Sequence, residues 1–223
     1  MSLLHILCRP DMTSIDVGAK FGMYTYRLNK HSKKVVAFEP IKDLNTALSK
    51  IFKNDNIDVM PVALSDKSGE VSMRTPLYKS GNPCYGRSTI EKENSLEFNQ
   101  IKGWNEFTIK TKRLDDLHIN NIGFIKVDVE GHEQAVLEGA GKTIQKFRPR
   151  MLIEANNHHL PKAVEKLFSW AKHNDYLIYF MENNKIYPSS SYNIPDRHFQ
   201  KNIENFILIH CRDTECLRNL KIF

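Results

Sequence analysis

Thr13-Ser14-Ile15-Asp16-Val17-Gly18-Ala19-Lys20-Phe21-Gly22 decides the reading of this chain. A short β-prone run from Thr13 to Val17 ends in Gly18, and a helix-compatible stretch from Gly22 to Asn29 follows, giving strand, tight turn and helix. Further along, Lys34 to Glu39 reads as a second buried strand closed by Pro40, and Leu44, Ala47, Leu48, Ile51 and Phe52 recur at helical spacing. A third strand is expected near Ile57 to Val62. After the turn signal Asp66-Lys67-Ser68-Gly69, the stretch from Glu70 to Gly103 is polar and weakly periodic. It is read as an insertion at about 70–105 in a single domain spanning 1–223. Phe107 to Thr111 alternates as a half-exposed strand would, and Ile122 to Val129 reads as a buried one. A helix from Glu133 to Phe147, a strand from Met151 to Ala155 and a helix from Pro161 to His173 follow. Strands at Tyr176 to Phe180 and Phe206 to Ile209, with no strong helix between them, are expected to be antiparallel. The alternation predicts an α/β, doubly wound, mainly parallel seven-stranded sheet with helices on both faces and a ligand site at the carboxyl ends of the strands.

Composition narrows the function. The 223 residues are 41% hydrophobic and 26% charged, and no apolar run approaches the roughly 20 residues of a membrane span. Met1 to Arg9 lacks the pattern of a secretory signal, and Cys8, Cys84, Cys211 and Cys216 form neither a C-x-x-C pair nor a zinc spacing, so a cytoplasmic protein with free thiols and no membrane partner is expected. The formal charge of +6 raises a nucleic-acid partner. The basic residues are scattered over solvated faces with acids interleaved, as at Lys142, Lys146, Arg148 and Arg150, and that partner is disfavoured.

Asp16 at the strand end, with Gly18 and Gly22 across the turn, lets a ligand approach the backbone closely. Glu39 closes the next strand, where a carboxylate can accept hydrogen bonds from both hydroxyls of a ribose. A nucleoside is implied. An acid at Asp16 would repel phosphates, and the three-glycine dinucleotide fingerprint is incomplete, so the reading turns to S-adenosylmethionine, whose sulfonium and ammonium an acid attracts.

Five blocks in order then resemble the FkbM-type methyltransferases. They are Ile15-Asp16-Val17-Gly18-Ala19; Phe38-Glu39-Pro40; Ala63-Leu64-Ser65-Asp66; Thr111-Lys112-Arg113-Leu114-Asp115-Asp116-Leu117; and Ile125-Lys126-Val127-Asp128-Val129-Glu130-Gly131-His132-Glu133 with Leu137-Glu138-Gly139-Ala140 after it. The resemblance covers about Ile15 to Glu154 and implies a Rossmann-like class I methyltransferase fold that takes S-adenosylmethionine and often methylates sugar hydroxyls. It implies that Asp16, Gly18, Ala19 and Gly22 line the methionine part, that Glu39 and Pro40 hold the ribose, and that Ala63, Leu64, Ser65 and Asp66 border the adenine. The family usually carries Asn where this chain has Lys20.

Transfer to a hydroxyl of a small-molecule acceptor requires an oriented oxygen and removal of its proton. Asp128, Glu130 and His132, at the end of the fourth main-sheet strand and the entry to its helix, are the candidates. Glu133 reads as a helix-dipole acid. A magnesium site built from Asp128, Glu154, Asn156 and Asn157 is the disfavoured alternative, and no metal ligand set is assigned. His158-His159 lacks the partner spacing of a zinc site. Two rival functions are a nucleic-acid methyltransferase, suggested by Asn82-Pro83-Cys84-Tyr85, and a non-catalytic S-adenosylmethionine-binding module, suggested by Lys20.

Overall fold

The computed structural model describes residues 3–94, 96, 100–220 and 222. A short helix α1 (Leu4–Leu7) leads into strand β1 (Thr13–Val17), and α2 (Met23–Asn29), β2 (Lys34–Phe38), α3 (Lys42–Ile51) and β3 (Ile57–Met60) complete two parallel crossovers. The chain then forms β4 (Ala63–Leu64) and a long antiparallel pair, β5 (Gly69–Tyr78) and β6 (Ile101–Lys112). It returns through β7 (Ile122–Val127), α4 (Glu133–Gly139), α5 (Gly141–Phe147), β8 (Arg150–Glu154), α6 (Ala163–His173), β9 (Tyr176–Glu182), β10 (Lys185–Pro188), β11 (Asn205–His210) and α7 (Thr214–Asn219).

The main sheet has eight strands in the order β10-β9-β11-β8-β7-β1-β2-β3. The run from β3 through β8 is parallel, and β11 slots antiparallel between β8 and β9. Successive side chains serve opposite faces, as a strand buried on both sides requires. Ile15, Val17, Ile125, Val127, Met151 and Ile153 pack with α4, α5 and α6, whereas Val35, Phe124, Leu152, Ile207 and Ile209 pack with Leu28 of α2 and with α1 and α7. The eighth strand is an addition to the seven expected. β9 turns into β10 through Asn183 and Asn184, both left-handed at φ 50° and 60°, which is the two-residue hairpin turn that asparagine tolerates.

The half-exposed strand around Phe107 to Thr111 lies outside the main sheet. It is the end of β6, which pairs with β5 and β4 in a separate three-stranded sheet. The weakly periodic stretch from 70 is therefore a built arm, half of it a regular ladder. The helix expected from Glu133 to Phe147 is two helices broken at Ala140, whose φ of −108° departs from helical backbone. Gly139 sits under β4 so closely that a side chain there would meet the Ser65 carbonyl oxygen at 1.9 Å.

Candidate active site

The strand order reverses between β1 and β7, and there the carboxyl ends of two parallel strands part to leave a crevice. Gly18 turns the chain out of β1 with φ +82°, and a Cβ on it would lie 2.0 Å from the carbonyl oxygen of Asp128. Only glycine fits beneath the end of β7. The backbone of Asp128 in turn donates to Val17 O at 3.1 Å, and the amides of Gly18 and Ala19 both reach Phe38 O, so the ends of β1, β2 and β7 are locked together.

Glu39 is fixed at the rim of this crevice. Its Oε2 accepts the amide of Lys20 at 2.8 Å and its Oε1 the amide of Ile41 at 2.9 Å. An ionised carboxylate has about four acceptor sites, so two remain for a ligand. Burial pushes the Glu39 carboxyl up to about 7, against the lowering effect of those two amides. A cleft open to solvent runs past it. Gly18, Glu39, Pro40, Ala63 and Leu64 line one part of it, and Asp128, Glu130 and His132 line its far end.

The remaining expected cofactor contacts do not line the cleft. Asp16 is 1% exposed, its carboxylate accepts the Thr25 hydroxyl at 2.5 Å, and burial raises it to about 6. Its carboxylate ties β1 to α2. Ala19 packs with Leu48 and Phe52, and Gly22 caps α2 at φ 75° against the same two side chains. Ser65 donates to Asp66 at 2.9 Å and is also 2.9 Å from His132 Nε2, so this pair supports the site from behind.

At the far end, Glu130 adopts a left-handed φ of 53° and Gly131 one of 107°. Such strain persists only where the surroundings hold it. Here the arm holds it: Thr89 Oγ1 donates to the Glu130 carbonyl at 2.9 Å and Asn94 Nδ2 to the same oxygen at 3.3 Å. Glu91, also on the arm, bonds His132 Nδ1. Both ring nitrogens of His132 are thereby engaged, which makes it a tether between arm and sheet. Lys126 is buried beneath, 3.7 Å from Asp128 and 5.1 Å from the centre of the Tyr24 ring.

Beyond Glu130 lies a second, polar cleft open to solvent, lined also by Arg87, Glu154, Asn156, His158, His159 and Glu204. Burial, with Asp128 adding, pushes Glu130 and Glu154 each up to about 8. Sequence reasoning missed the arm residues Tyr85, Gly86, Ser88 and Ile90 on the first cleft, and Arg87 and His159 on the second. Among the described residues no three His, Cys, Asp or Glu side chains gather closely enough to hold a metal ion, and no helix is long and apolar enough to cross a membrane.

A doubly wound sheet with a glycine turn after its first strand, an acid closing its second and a cleft at the switch point is a Rossmann-like class I methyltransferase fold. The profile of the methyltransferase FkbM domain matches residues 16–184, and the chain belongs to that family. It is 28% identical over 160 residues to the hexuronic acid methyltransferase AglP of Haloferax volcanii, a match covering 70% of this chain and 61% of the relative. It is 25% identical over 160 residues to the 2-O-methyltransferase NoeI of Sinorhizobium fredii, covering 66% and 64%. The chain thus spans somewhat under two thirds of the length of these curated relatives. Among solved structures, the methyltransferase FkbM of Methylobacillus flagellatus superposes with a TM-score of 0.57 at 16% identity, covering 94% of this chain and 50% of that one. That likeness speaks to the fold.

Proposed function

We propose that this chain is an S-adenosylmethionine-dependent methyltransferase acting on a hydroxyl oxygen of a sugar or a similar polyhydroxyl small molecule. The observation that carries the reading is the meeting of two unlike clefts at Glu130: one with a ribose-ready carboxylate and apolar walls, the other polar and wide. S-adenosylmethionine fits the first on three counts. Glu39 keeps two acceptor sites, Gly18 permits close approach, and Phe38, Ile41, Leu64 and Ile90 give a nucleobase an apolar slot.

When bound, the cofactor supplies an electrophilic methyl group on a sulfonium. The chain's residues do the rest. Glu39 takes the ribose hydroxyls, Asp128 and Glu130 face the acceptor oxygen at the junction, and His132 positions that turn through Ser65 and Glu91. The second cleft suits a sugar: its amide and carboxylate groups match hydroxyls, and the exposed Phe199 packs on His158 at its edge, with ring centres 5.1 Å apart. The relatives point the same way, since both are named as methyltransferases and one is named for a hexuronic acid.

The test is calorimetry with S-adenosylmethionine followed by methyl transfer to a panel of methyl glycosides of neutral hexoses, hexuronic acids, catechol and an RNA oligonucleotide. Micromolar cofactor binding and turnover on a glycoside, undiminished by EDTA, are expected. Turnover on RNA alone, or loss with EDTA and recovery with magnesium, would overturn the acceptor class or the metal-free mechanism respectively.

A pH dependence follows from Glu39. Its ionised form accepts two ribose hydroxyls, and its protonated form loses part of that capacity. With the carboxyl raised to about 7, cofactor affinity is expected to increase as pH rises through about 7 and to level off above it. Calorimetric titration from pH 6 to 8.5 reads this directly, and Glu39→Gln should flatten the curve.

A further inference from the structure

We propose that His159 is the group that takes the proton from the acceptor hydroxyl, held at one ring nitrogen by Glu130 and presenting the other to the polar cleft. The assignment rests on the methyl-transfer reading above. His159 Nδ1 lies 3.0 Å from Glu130 Oε2, and both side chains are largely buried. Glu130 Oε2 is buried and makes no hydrogen bond among the described residues, so the His159 ring is the polar group that stands beside an otherwise unpartnered carboxylate oxygen. Nor does His159 Nε2 make a hydrogen bond among them, while the residue lines the second cleft. A carboxylate on Nδ1 with an open Nε2 is the general arrangement of an imidazole base.

The surrounding turn is rigid enough to hold that arrangement. Asn156 O accepts the amides of His159 and Leu160 at 3.0 and 3.1 Å, and the Asn156 side chain is tied to Glu204 at 2.7 Å. Gly131 lets the two segments close, because a Cβ on it would stand 3.7 Å from His159 Cβ. His132, by contrast, has both ring nitrogens occupied.

The step balances. The acceptor oxygen forms its bond to the methyl carbon with its own lone pair, the carbon–sulfur bond breaks with its electrons passing to sulfur, and the hydroxyl proton moves to Nε2. Burial, helped by Arg87 and by His158 and His198, lowers His159 to about 4 against the pull of Asp128, so the ring is an unprotonated base at neutral pH. Glu130, raised to about 8 by burial, Asp128 and Glu133 against Lys20 and Arg87, ionises above that pH and then accepts Nδ1–H. Turnover should accordingly climb with pH through about 8.

The test has two arms. At pH 9, ring-nitrogen NMR of histidine-labelled protein without any ligand should show His159 as the Nδ1–H tautomer, assigned by its loss in His159→Gln. In the glycoside assay, His159→Gln should lower kcat by about a hundredfold with cofactor affinity within about twofold of wild type, and His159→Asn should do the same if the first variant folds poorly. An Nε2–H tautomer, or turnover within about threefold of wild type in either folded variant, would overturn the assignment. A wild-type protein that neither binds S-adenosylmethionine nor methylates a glycoside would instead count against the methyl-transfer reading, and the tautomer would still decide the geometry.

Discussion

Glu39→Ala is expected to weaken S-adenosylmethionine binding by about a hundredfold while leaving the thermal midpoint close to wild type. The carboxylate already takes two backbone amides, and its two remaining acceptor sites are those offered to a ribose. Two hydrogen bonds to a charged acceptor contribute about 3 kcal/mol together, which corresponds to roughly two powers of ten in affinity. The fold loses less. Burial already disfavours the ionised form, so removing it relieves a desolvation penalty while freeing the Lys20 and Ile41 amides. Glu39→Gln separates the parts, because the amide oxygen retains one acceptor and the NH₂ cannot receive a second hydroxyl proton. An intermediate loss is expected. Calorimetry on all three proteins checks the order, and equal affinities would remove Glu39 from the cofactor site.

Gly18→Ala is expected to damage both folding and function. The added methyl would meet the Asp128 carbonyl oxygen at 2.0 Å, and a left-handed φ of +82° is strained for any L side chain. The neighbour is backbone at the end of a central strand, so no side chain can swing aside. The strain of the φ angle alone is about 1–2 kcal/mol, and the displaced strand end adds a comparable penalty. A drop in the thermal midpoint of about 4–16 °C is expected, taking 2–4 °C per kcal/mol for a chain of this size. Cofactor binding should fall below detection, because Val17, Gly18 and Asp128 form the floor of the cleft. A variant with a wild-type midpoint and full affinity would refute the close approach.

The sequence disclosed the parts of the site that lie on regular strands. β1, β2 and β7 are buried on both faces, and β2 and β7 read as largely apolar runs while β1 is marked by the glycine turn after it, so their carboxyl ends, and with them Gly18, Glu39 and Asp128, could be placed from the pattern. The partner of Asp16 was not legible, because a strand period states that its side chain opposes those of Ile15 and Val17, but not that Thr25 of α2 covers that face. The arm was illegible for a different reason. Its anchors are loop side chains, Thr89 and Asn94, reaching a carbonyl 41 and 36 residues away, and no local period encodes such a bond. His159 escaped because its partner Glu130 comes alongside only through the parallel pairing of β7 with β8. The hairpin at Asn183-Asn184 carried a usable signal, two residues tolerant of positive φ, that was overlooked.

The arm between β5 and β6 presents Tyr85, Gly86, Ser88 and Ile90 to one cleft and Arg87 and Asn94 to the other. On the proposed function, one ten-residue segment would be read twice, by donor and by acceptor. Inheritance acts on it as a unit: a change that reshapes the acceptor wall is filtered at once for its effect on cofactor retention. Divergence in acceptor preference would then proceed by exchange of the whole segment more readily than by single steps, and a graft of residues 85–94 between relatives would transplant two selectivities together.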